Sequence, residues 1–221
     1  MSYDLLLALL IEGTRDTLYM VGIASLVALV MGLPLGVVLS VTSENGILRT
    51  PPVYDALSFT VNIGRSAPFV ILMIALIPFT RFIVGTSIGK NAAIVPLSVA
   101  AIPFVGRVVE SSLREVDQGI IEAAQAMGAS PFEIIMKVLI PEGLPGIIAG
   151  ATLTVINLVG YSAMAGTLGG GGLGDIAFRY GYQRFMTNVM VATIVILVIL
   201  VQIVQIIGDK LASMTRHDRK N

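Results

Sequence analysis

The side chains that most often carry chemistry are scarce in this sequence. It contains no cysteine and a single histidine, His217, close to its C-terminal end. Without cysteine, a disulfide framework, a thiolate metal site and a cysteine nucleophile are all excluded. One histidine in a polar tail argues against a histidine-based metal cluster and against a catalytic triad. We therefore expect neither a catalytic residue nor a metal site in this chain.

Two glycine-containing segments have part of the spacing of nucleotide-binding motifs. Gly169, Gly171 and Gly174 satisfy the pattern G-x-G-x-x-G. A dinucleotide fingerprint needs a strand before it and a helix after it, whereas this run follows an apolar segment, so we expect a flexible outer loop. Gly89-Lys90 lacks the earlier glycine and the following Ser or Thr that a P-loop requires. The chain therefore has no motif with which to hydrolyse ATP alone.

The distribution of charge predicts a membrane protein. Of the 221 residues, 55% are apolar and 13% are charged, against about 25% charged in soluble proteins. Acidic and basic residues are equal at 14 each, so no bulk charge favours binding to nucleic acid. A crossing helix needs about 20 mostly apolar residues. We predict an all-α polytopic protein, one domain over residues 1–221, with five spans near residues 17–41, 59–79, 88–106, 144–168 and 185–208.

Lysine and arginine in the predicted loops orient the spans. One set of loops carries eight such residues and the other carries five. Because cytoplasmic loops are enriched in lysine and arginine, we expect the N-terminus outside and the C-terminus in the cytoplasm. The long loop at 107–143 then also lies in the cytoplasm. The eight residues are Arg49, Arg107, Arg114, Lys137, Lys210, Arg216, Arg219 and Lys220.

The predicted spans differ in composition. The fifth is dense in Ile and Val from Val189 to Val201, which suits a helix that faces lipid, whereas the fourth is rich in glycine and small polar residues. Small residues let helices approach closely, so we expect the fourth span to be interior. Its polar or flexible side chains are candidates for a translocation pathway. They are Asn157, Tyr161, Ser162 and Met164.

Met164 and Arg65 each allow two interpretations. Met164 could close a gate by a rotamer change, or it could fill a gap in the core. Arg65 is the only charge well inside a predicted span, where an arginine costs about 2.5–3.5 kcal/mol at the centre and less near an end. It either extends to the cytoplasmic surface, pairs across a dimer or lines the inner mouth of a pathway. We keep Arg65 and the adjacent Ser66 as pathway candidates.

Residues 117–141 predict a compact helical hairpin in the cytoplasmic loop. Asp117 can cap a helix that ends near Gly128, because glycine tolerates the positive φ of a helix stop. Ser130, Pro131 and Glu133 then supply the N-cap, first and third positions of a capping box. We expect this second helix to stop before the proline at position 141.

The first helix of the hairpin carries a small apolar face. We expect Ile120, Ala123, Ala124 and Met127 to share it, because their spacing follows the helical period. The face could pack beneath the spans or dock into a groove of a partner. The residues alone leave both interpretations open.

The same loop resembles the EAA loop of bacterial ABC-importer permeases. In that family three residues separate EAA from a Gly, and nine residues separate this Gly from I-x-L-P. The spacing here agrees in full, with Val138 and Ile140 in place of Ile and Leu. The loop of the family docks into a cleft of the ATP-hydrolysing subunit. The resemblance implies coupling residues at Glu122, Ala123, Ala124, Met127, Gly128 and Pro141.

Longer segments resemble the methionine-importer permeases across nearly the whole chain. They include NIGRSAPF at 62–69, AMGASPFEII at 126–135 and LVGYSAMAGTLGGGGLG at 158–174. The resemblance implies a permease homodimer in the bacterial inner membrane that imports L- and D-methionine. It also implies two ATP-binding cassette subunits, which hold ATP and Mg²⁺, and an external methionine-binding protein. No cofactor would then belong to this chain, and it would not be an enzyme.

Other functions remain open at this point. The chain could serve an ABC importer for another small amino acid. An ion-coupled secondary transporter usually has an intramembrane carboxylate and an internal repeat, yet no Asp or Glu falls within the five predicted spans. A channel or structural membrane protein would leave the capped hairpin without a role. Co-purification of an ATPase would separate these classes.

Overall fold

The computed structural model describes residues 3–215, and every regular element in that part of the chain is helical. His217 and the basic residues Arg216, Arg219 and Lys220 lie outside the described residues. The α-helices are α1 (Tyr3–Thr42), α2 (Pro51–Ser66), α3 (Phe69–Ala75), α4 (Ile77–Val84), α5 (Lys90–Arg114), α6 (Gln118–Ala126), α7 (Pro131–Ile134), α8 (Ile140–Ala165), α9 (Gly172–Ile176) and α10 (Thr187–Thr215). Wider π-helical turns occupy Ile135–Leu139, Gly166–Gly170 and Ala177–Tyr182.

Four helices between residues 3 and 215 are long and apolar enough to cross a membrane. They are α1, α5, α10 and the helical segment Pro131–Gly170, which bends at Leu168 and Gly169 near its end. A fifth crossing is added if α2 and α3 count as one broken span, since the two meet at a bend of 103°. The expectation of five spans is met in that sense, but the second span is not the single helix that we predicted over 59–79.

The break in the second span follows from a proline. Pro68 precedes α3 in an extended conformation, with φ −60° and ψ 129°. Proline has no N–H to donate and biases the residue before it away from the helical region. The helix therefore ends at Ser66 and restarts at Phe69.

The second helix of the hairpin does not stop before Pro141, so that expectation was wrong. It continues from α7 through the π-helical turn Ile135–Leu139 into α8. Within that turn the N–H of Ile140 donates to the carbonyl of Ile135, five residues earlier. A wider turn carries backbone carbonyls away from their usual four-residue partners, which removes the clash that a proline ring would otherwise make.

Burial differs strongly among the crossing helices. The most apolar window of α5 is 56% buried, that of Pro131–Gly170 is 39% buried and that of α10 is 6% buried. The Ile- and Val-rich α10 thus leaves nearly all of that window uncovered within the chain, as expected of a helix that faces lipid. The glycine-rich fourth span is more buried than α10, in line with the expectation that it is interior, and α5 is more buried still.

The chain divides into two compact units. One contains the described residues up to Val27, with Ala67–Ala101 and Thr154–Gln205. The other contains Ala28–Ser66, Ile102–Leu153 and the described residues from Ile206 onward. Each has an apolar core, with Met20, Leu97 and Leu173 buried in the first and Leu39, Leu113 and Ile134 buried in the second. The hairpin belongs to the second unit.

Candidate coupling hairpin and translocation pathway

The first helix of the hairpin begins and ends as the sequence predicts. The carboxylate of Asp117 accepts a hydrogen bond from the N–H of Gly119 at 2.7 Å, which caps α6. Gly128 then adopts a φ of +81°, and its N–H donates to the carbonyl of Gln125 at 2.9 Å. A left-handed residue at this position turns the chain sharply away from the helix axis. The N-cap of the second helix, Ser130, follows two residues later, and the helix itself begins at Pro131.

A capping box fixes the start of the second helix. The Ser130 hydroxyl accepts from the N–H of Glu133, and the Glu133 carboxylate accepts from the N–H of Ser130 at 3.1 Å. Lys137 donates to the same carboxylate at 3.0 Å. The backbone N–H of Ser130, followed by the ammonium of Lys137, lowers the pKa of Glu133 from 4.5 to about 2. The carboxylate that completes the cap is therefore ionised at neutral pH.

The apolar face of α6 is divided between the interior and the surface. Ile120, Ala123 and Met127 are exposed, and Met127 has 82% of its surface accessible. Ala124 is buried instead, together with Ile121. The prediction that Ala124 shares one face with the other three was wrong, because Ala124 and Ile121 anchor the helix while the other residues are presented outward. We call Ile120, Ala123 and Met127 the hairpin stripe.

The remaining coupling candidates also lie at or near the surface. Glu122, Gly128 and Pro141 are exposed. Phe132, in the first turn of α7, is a further exposed aromatic residue that the sequence analysis did not select. The hairpin thus exposes apolar side chains next to a carboxylate on a segment whose backbone is fixed by caps.

The pathway candidates of α8 do not all share one face. Asn157 and Met164 are exposed and lie seven residues apart, which is close to two helical turns. Tyr161 is half-buried and stacks on Phe69, with ring centroids 4.6 Å apart and an interplanar angle of 1°. Ser162 is buried, and its hydroxyl donates to the carbonyl of Val159 at 2.7 Å. The structure therefore brings Asn157 and Met164 to an exposed face and places Ser162 away from it.

Arg65 and Ser66 lie at the end of α2 and are both exposed. The guanidinium of Arg65 is 5.8 Å from the ring centre of Phe104, within the range of a cation–π contact. A cation in the last turn of a helix also interacts favourably with the helix dipole. The Ser66 hydroxyl donates to the carbonyl of Asn62 at 2.8 Å.

The glycine-rich segment after α8 is packed, so the expectation of a flexible loop was wrong. The N–H of Leu173 donates to the hydroxyl of Thr17 at 2.9 Å. Gly172 has a φ of +75°, and a Cβ added there would lie 2.7 Å from the Thr17 hydroxyl oxygen. The N–H of Gly89 donates to the carbonyl of Gly169 at 2.8 Å. These glycines allow close approach within the first unit.

A buried ion cluster in α5 and α2 was not predicted from the sequence. We expected Arg107 and Arg114 to lie in a loop, whereas both lie in α5, which continues to Arg114. Between them Glu110 is fully enclosed, with 1% of its side chain accessible. We call the following residues the Glu110 cluster: Tyr54, Ser58 and Asn62 of α2, and Arg107, Glu110 and Arg114 of α5.

The spacing of the three charged residues could have revealed this cluster. Arg107, Glu110 and Arg114 stand at i, i+3 and i+7, which places them on one helix face.

Between residues 3 and 215 no three His, Cys, Asp or Glu residues are grouped so that they could hold a metal ion.

Most of this chain matches one known protein family. The family described as the binding-protein-dependent transport system inner membrane component matches residues 32–217. The chain belongs to this family. Its members are inner-membrane components by that description, which agrees with the long apolar helices.

Named relatives are similar over most of the chain. The probable D-methionine transport system permease protein MetI of Vibrio cholerae serotype O1 is 56% identical over 209 residues, which cover 95% of this chain and 93% of the relative. The MetI protein of Escherichia coli strain K12 is 50% identical over 158 residues, which cover 72% of this chain and 73% of that protein.

Solved structures share the fold. A chain from inward facing conformations of the MetNI methionine ABC transporter matches with a TM-score of 0.95 at 49% identity, covering 97% of this chain and 99% of that one. A chain from an amino acid ABC transporter with histidines matches with a TM-score of 0.71 at 21% identity, which supports the fold alone.

Proposed function

We propose that this chain is the membrane-spanning subunit of an ATP-driven importer for methionine, both L- and D-. The observation that carries the proposal is the match to the MetNI methionine transporter, with a TM-score of 0.95 over 97% of the chain. The named methionine permeases at 50–56% identity support the same substrate.

The capped hairpin supports a partner that hydrolyses ATP. Its stripe presents apolar side chains, with Glu122 beside them, on a segment that Asp117, Gly128 and the capping box hold in place. Ordered apolar side chains with an adjacent charge are the kind of anchor that a partner's groove accepts. ATP and Mg²⁺ would bind to that partner, and this chain would perform no catalysis.

The working unit that we propose contains two copies of this chain, two ATPase subunits and an external methionine-binding protein. ATP-driven closure of the ATPase subunits would bring the two hairpins together and open the permease outward. Substrate would then pass from the binding protein into a pathway along the two-fold axis, where Arg65, Ser66, Asn157, Tyr161, Ser162 and Met164 are the candidates. Hydrolysis would reset the permease. The N-terminus would face outward and the C-terminus the cytoplasm.

An ion-coupled transporter is the alternative that the structure brings closest, because Glu110 is a buried carboxylate within a crossing helix. Both of its oxygens are occupied, however, by Arg107, Arg114 and Tyr54. A coupling ion would find no open oxygen in this arrangement. The carboxylate therefore favours a structural role over ion coupling.

Uptake of labelled methionine tests the proposal. Bacteria that lack methionine uptake would receive this chain together with its ATPase and binding protein. We expect uptake that depends on ATP and that unlabelled L- and D-methionine both compete for. Competition by another amino acid, with none by methionine, would support the alternative that the importer serves a different small amino acid. Uptake driven by an ion gradient without an ATPase would refute the proposal.

A further inference from the structure

The Glu110 cluster fastens α2 to α5 through charged and polar contacts. The Glu110 carboxylate accepts a hydrogen bond from Arg107 at 2.6 Å and forms an ion pair with Arg114 at 3.1 Å. The Tyr54 hydroxyl donates to it at 3.1 Å and accepts from Arg114 at 3.0 Å. A buried carboxylate is unfavourable unless such partners replace its hydration. Arg107 and Arg114 supply such partners from α5 itself, and Tyr54 adds the bond that joins α2 to the same carboxylate.

The contacts define one register between the two helices. Arg107 donates to the Ser58 hydroxyl at 2.9 Å and to the Asn62 side-chain carbonyl at 2.7 Å. With Tyr54, these α2 residues lie four positions apart along a single face. A slide of one helical turn, about 5.4 Å, would break every one of these bonds. The cluster thus determines where α2 sits along α5.

The other neighbours of α5 in the same unit are held by close packing. A Cβ added at Gly36 of α1 would lie 2.5 Å from the Cβ of Val109, and one at Gly150 of α8 would lie 1.7 Å from a methyl carbon of Val108. Such small-residue contacts lock helices through their shape. Near the cluster, α2 meets α5 through hydrogen bonds instead. In a bilayer an apolar contact has no hydrophobic advantage over lipid, so polar bonds give α2 a specific attachment.

The position of the cluster connects it to the hairpin. Arg114 is the last residue of α5, and Asp117, which caps α6, follows three residues later. The contact also extends along α5 away from the hairpin, where Gly64 of α2 approaches Pro103 and Arg65 lies over the ring of Phe104. Both ends of α2 are thereby held against the helix that leads into the hairpin.

We propose that the Glu110 cluster makes α2 and the second half of α5, residues 102–114, a single rigid body within the second unit, so that a displacement of the hairpin moves both. Glu110 is then a positioning residue for the coupling of ATP hydrolysis to transport. This inference rests on the proposed function, because it takes an ATPase to be the source of the displacement. It assigns a role to residues that lie outside the EAA loop and the pathway candidates.

The first test is the substitution Glu110→Gln in the full complex, reconstituted in liposomes with the ATPase and the binding protein. The change keeps the size of the side chain and removes its charge. We expect ATP hydrolysis to continue while the methionine imported per ATP falls about tenfold. Glu44→Gln is the matched control, because the same change there alters only an exposed pair with Arg49 at 3.7 Å. We expect that control to import like the wild type.

The second test replaces the cluster with a covalent bond. A Cβ at Gly64 would lie 3.3 Å from the Cβ of Pro103, close to the separation of about 3.5–4.5 Å that a disulfide requires. The chain has no native cysteine, so Gly64→Cys with Pro103→Cys gives one defined cross-link. We expect the oxidised pair to transport normally in the wild-type background. In the Glu110→Gln background it should restore the import per ATP, and a reducing agent should abolish that rescue.

The outcomes separate the inference from the proposed function. Loss of transport when the cross-link forms in the wild-type background would show that α2 and α5 move against each other, and would overturn the inference even if Glu110→Gln did not fold. Unchanged import per ATP in Glu110→Gln, or no rescue by the disulfide, would also overturn it. Wild-type complexes that hydrolyse ATP without importing methionine would refute the proposed substrate.

Discussion

At the scale of single residues, Gly128 shows that a backbone angle, rather than a lack of space, can require glycine. Its φ is +81°, yet a Cβ built there would meet nothing within 4 Å. Gly85, at the end of α4, has nearly the same angle, +80°, and equally open surroundings. The two glycines are therefore alike in conformation and differ in whether they belong to the hairpin.

We predict that Gly128→Val abolishes ATP-driven uptake while the protein still inserts into the membrane. A β-branched residue is strongly disfavoured at positive φ, so the turn would rearrange and displace α7 from α6. Gly128→Asn should retain uptake, because asparagine tolerates the left-handed conformation. Uptake of labelled methionine, with protein quantified in membranes, gives the measurement. Gly85→Val is the control, and loss of uptake there as well would indicate general instability.

The reversal Glu122→Lys tests the charge beside the hairpin stripe. Glu122 is exposed on α6, and we expect it to meet a basic or donor group of the ATPase. Reversal would turn that attraction into repulsion and abolish uptake, measured as ATP-dependent import at equal membrane content. Normal uptake and normal ATPase association would place the docking surface elsewhere.

At the scale of elements, the features that the sequence predicts are those that local chemistry determines. Asp117, Gly128 and the Ser130–Glu133 box act within a few residues, so the sequence predicted the caps of α6 and the start of α7 correctly, although it missed the continuation of the second helix past Pro141. The direction of Ala124, the burial of Glu110 and the packing of Gly172 depend on helices far away in sequence. Tyr54 and Glu110, for example, are 56 positions apart. The spacing of Arg107, Glu110 and Arg114 within α5 is a periodic signal, but nothing in it indicates which residues of α2 complete the cluster.

The contact between α5 and α8 gives a prediction of stability. A Cβ at Gly150 would lie 1.7 Å from a methyl carbon of Val108, so Gly150→Ala should destabilise the protein by about 1–3 kcal/mol through overpacking. Thermal unfolding in detergent measures the change. Adding Val108→Ala should recover part of the loss. Gly22→Ala is the control, since nothing lies within 4 Å of a Cβ there, and a similar loss at that site would contradict the packing argument.

The hairpin stripe gives a second prediction at this scale. Met127 is 82% exposed, and Met127→Glu would place a charge on an apolar contact surface. We expect the binding free energy between this chain and the ATPase to weaken by at least about 1 kcal/mol, as for a contact near the centre of an interface. Less ATPase should then co-purify. Met214→Glu, at an exposed methionine in the last turns of α10, should leave co-purification unchanged. Equal ATPase yields from both variants would exclude the stripe as an anchor.

At the scale of the whole molecule, the absence of cysteine makes the orientation measurable. We predict that a cysteine placed at the exposed Thr86, in the turn after α4, reacts with an impermeant reagent from outside intact cells. A cysteine at the exposed Gln125 of α6 should react only after the membrane is permeabilised. The expectation follows from the bias of lysine and arginine toward cytoplasmic loops. The opposite pattern of labelling would invert the proposed topology.

The length of the helix that leaves the hairpin gives it the geometry of a lever. Pro131–Gly170 is a helical segment of 40 residues that bends at Leu168 and Gly169, and at about 1.5 Å per residue the part before the bend is about 55 Å long. A tilt of about 5° around its hairpin end carries the opposite end through about 5 Å. A tilt that is too small to disturb the caps at the hairpin would therefore displace the opposite end of the helix by about 5 Å, roughly the width of a side chain.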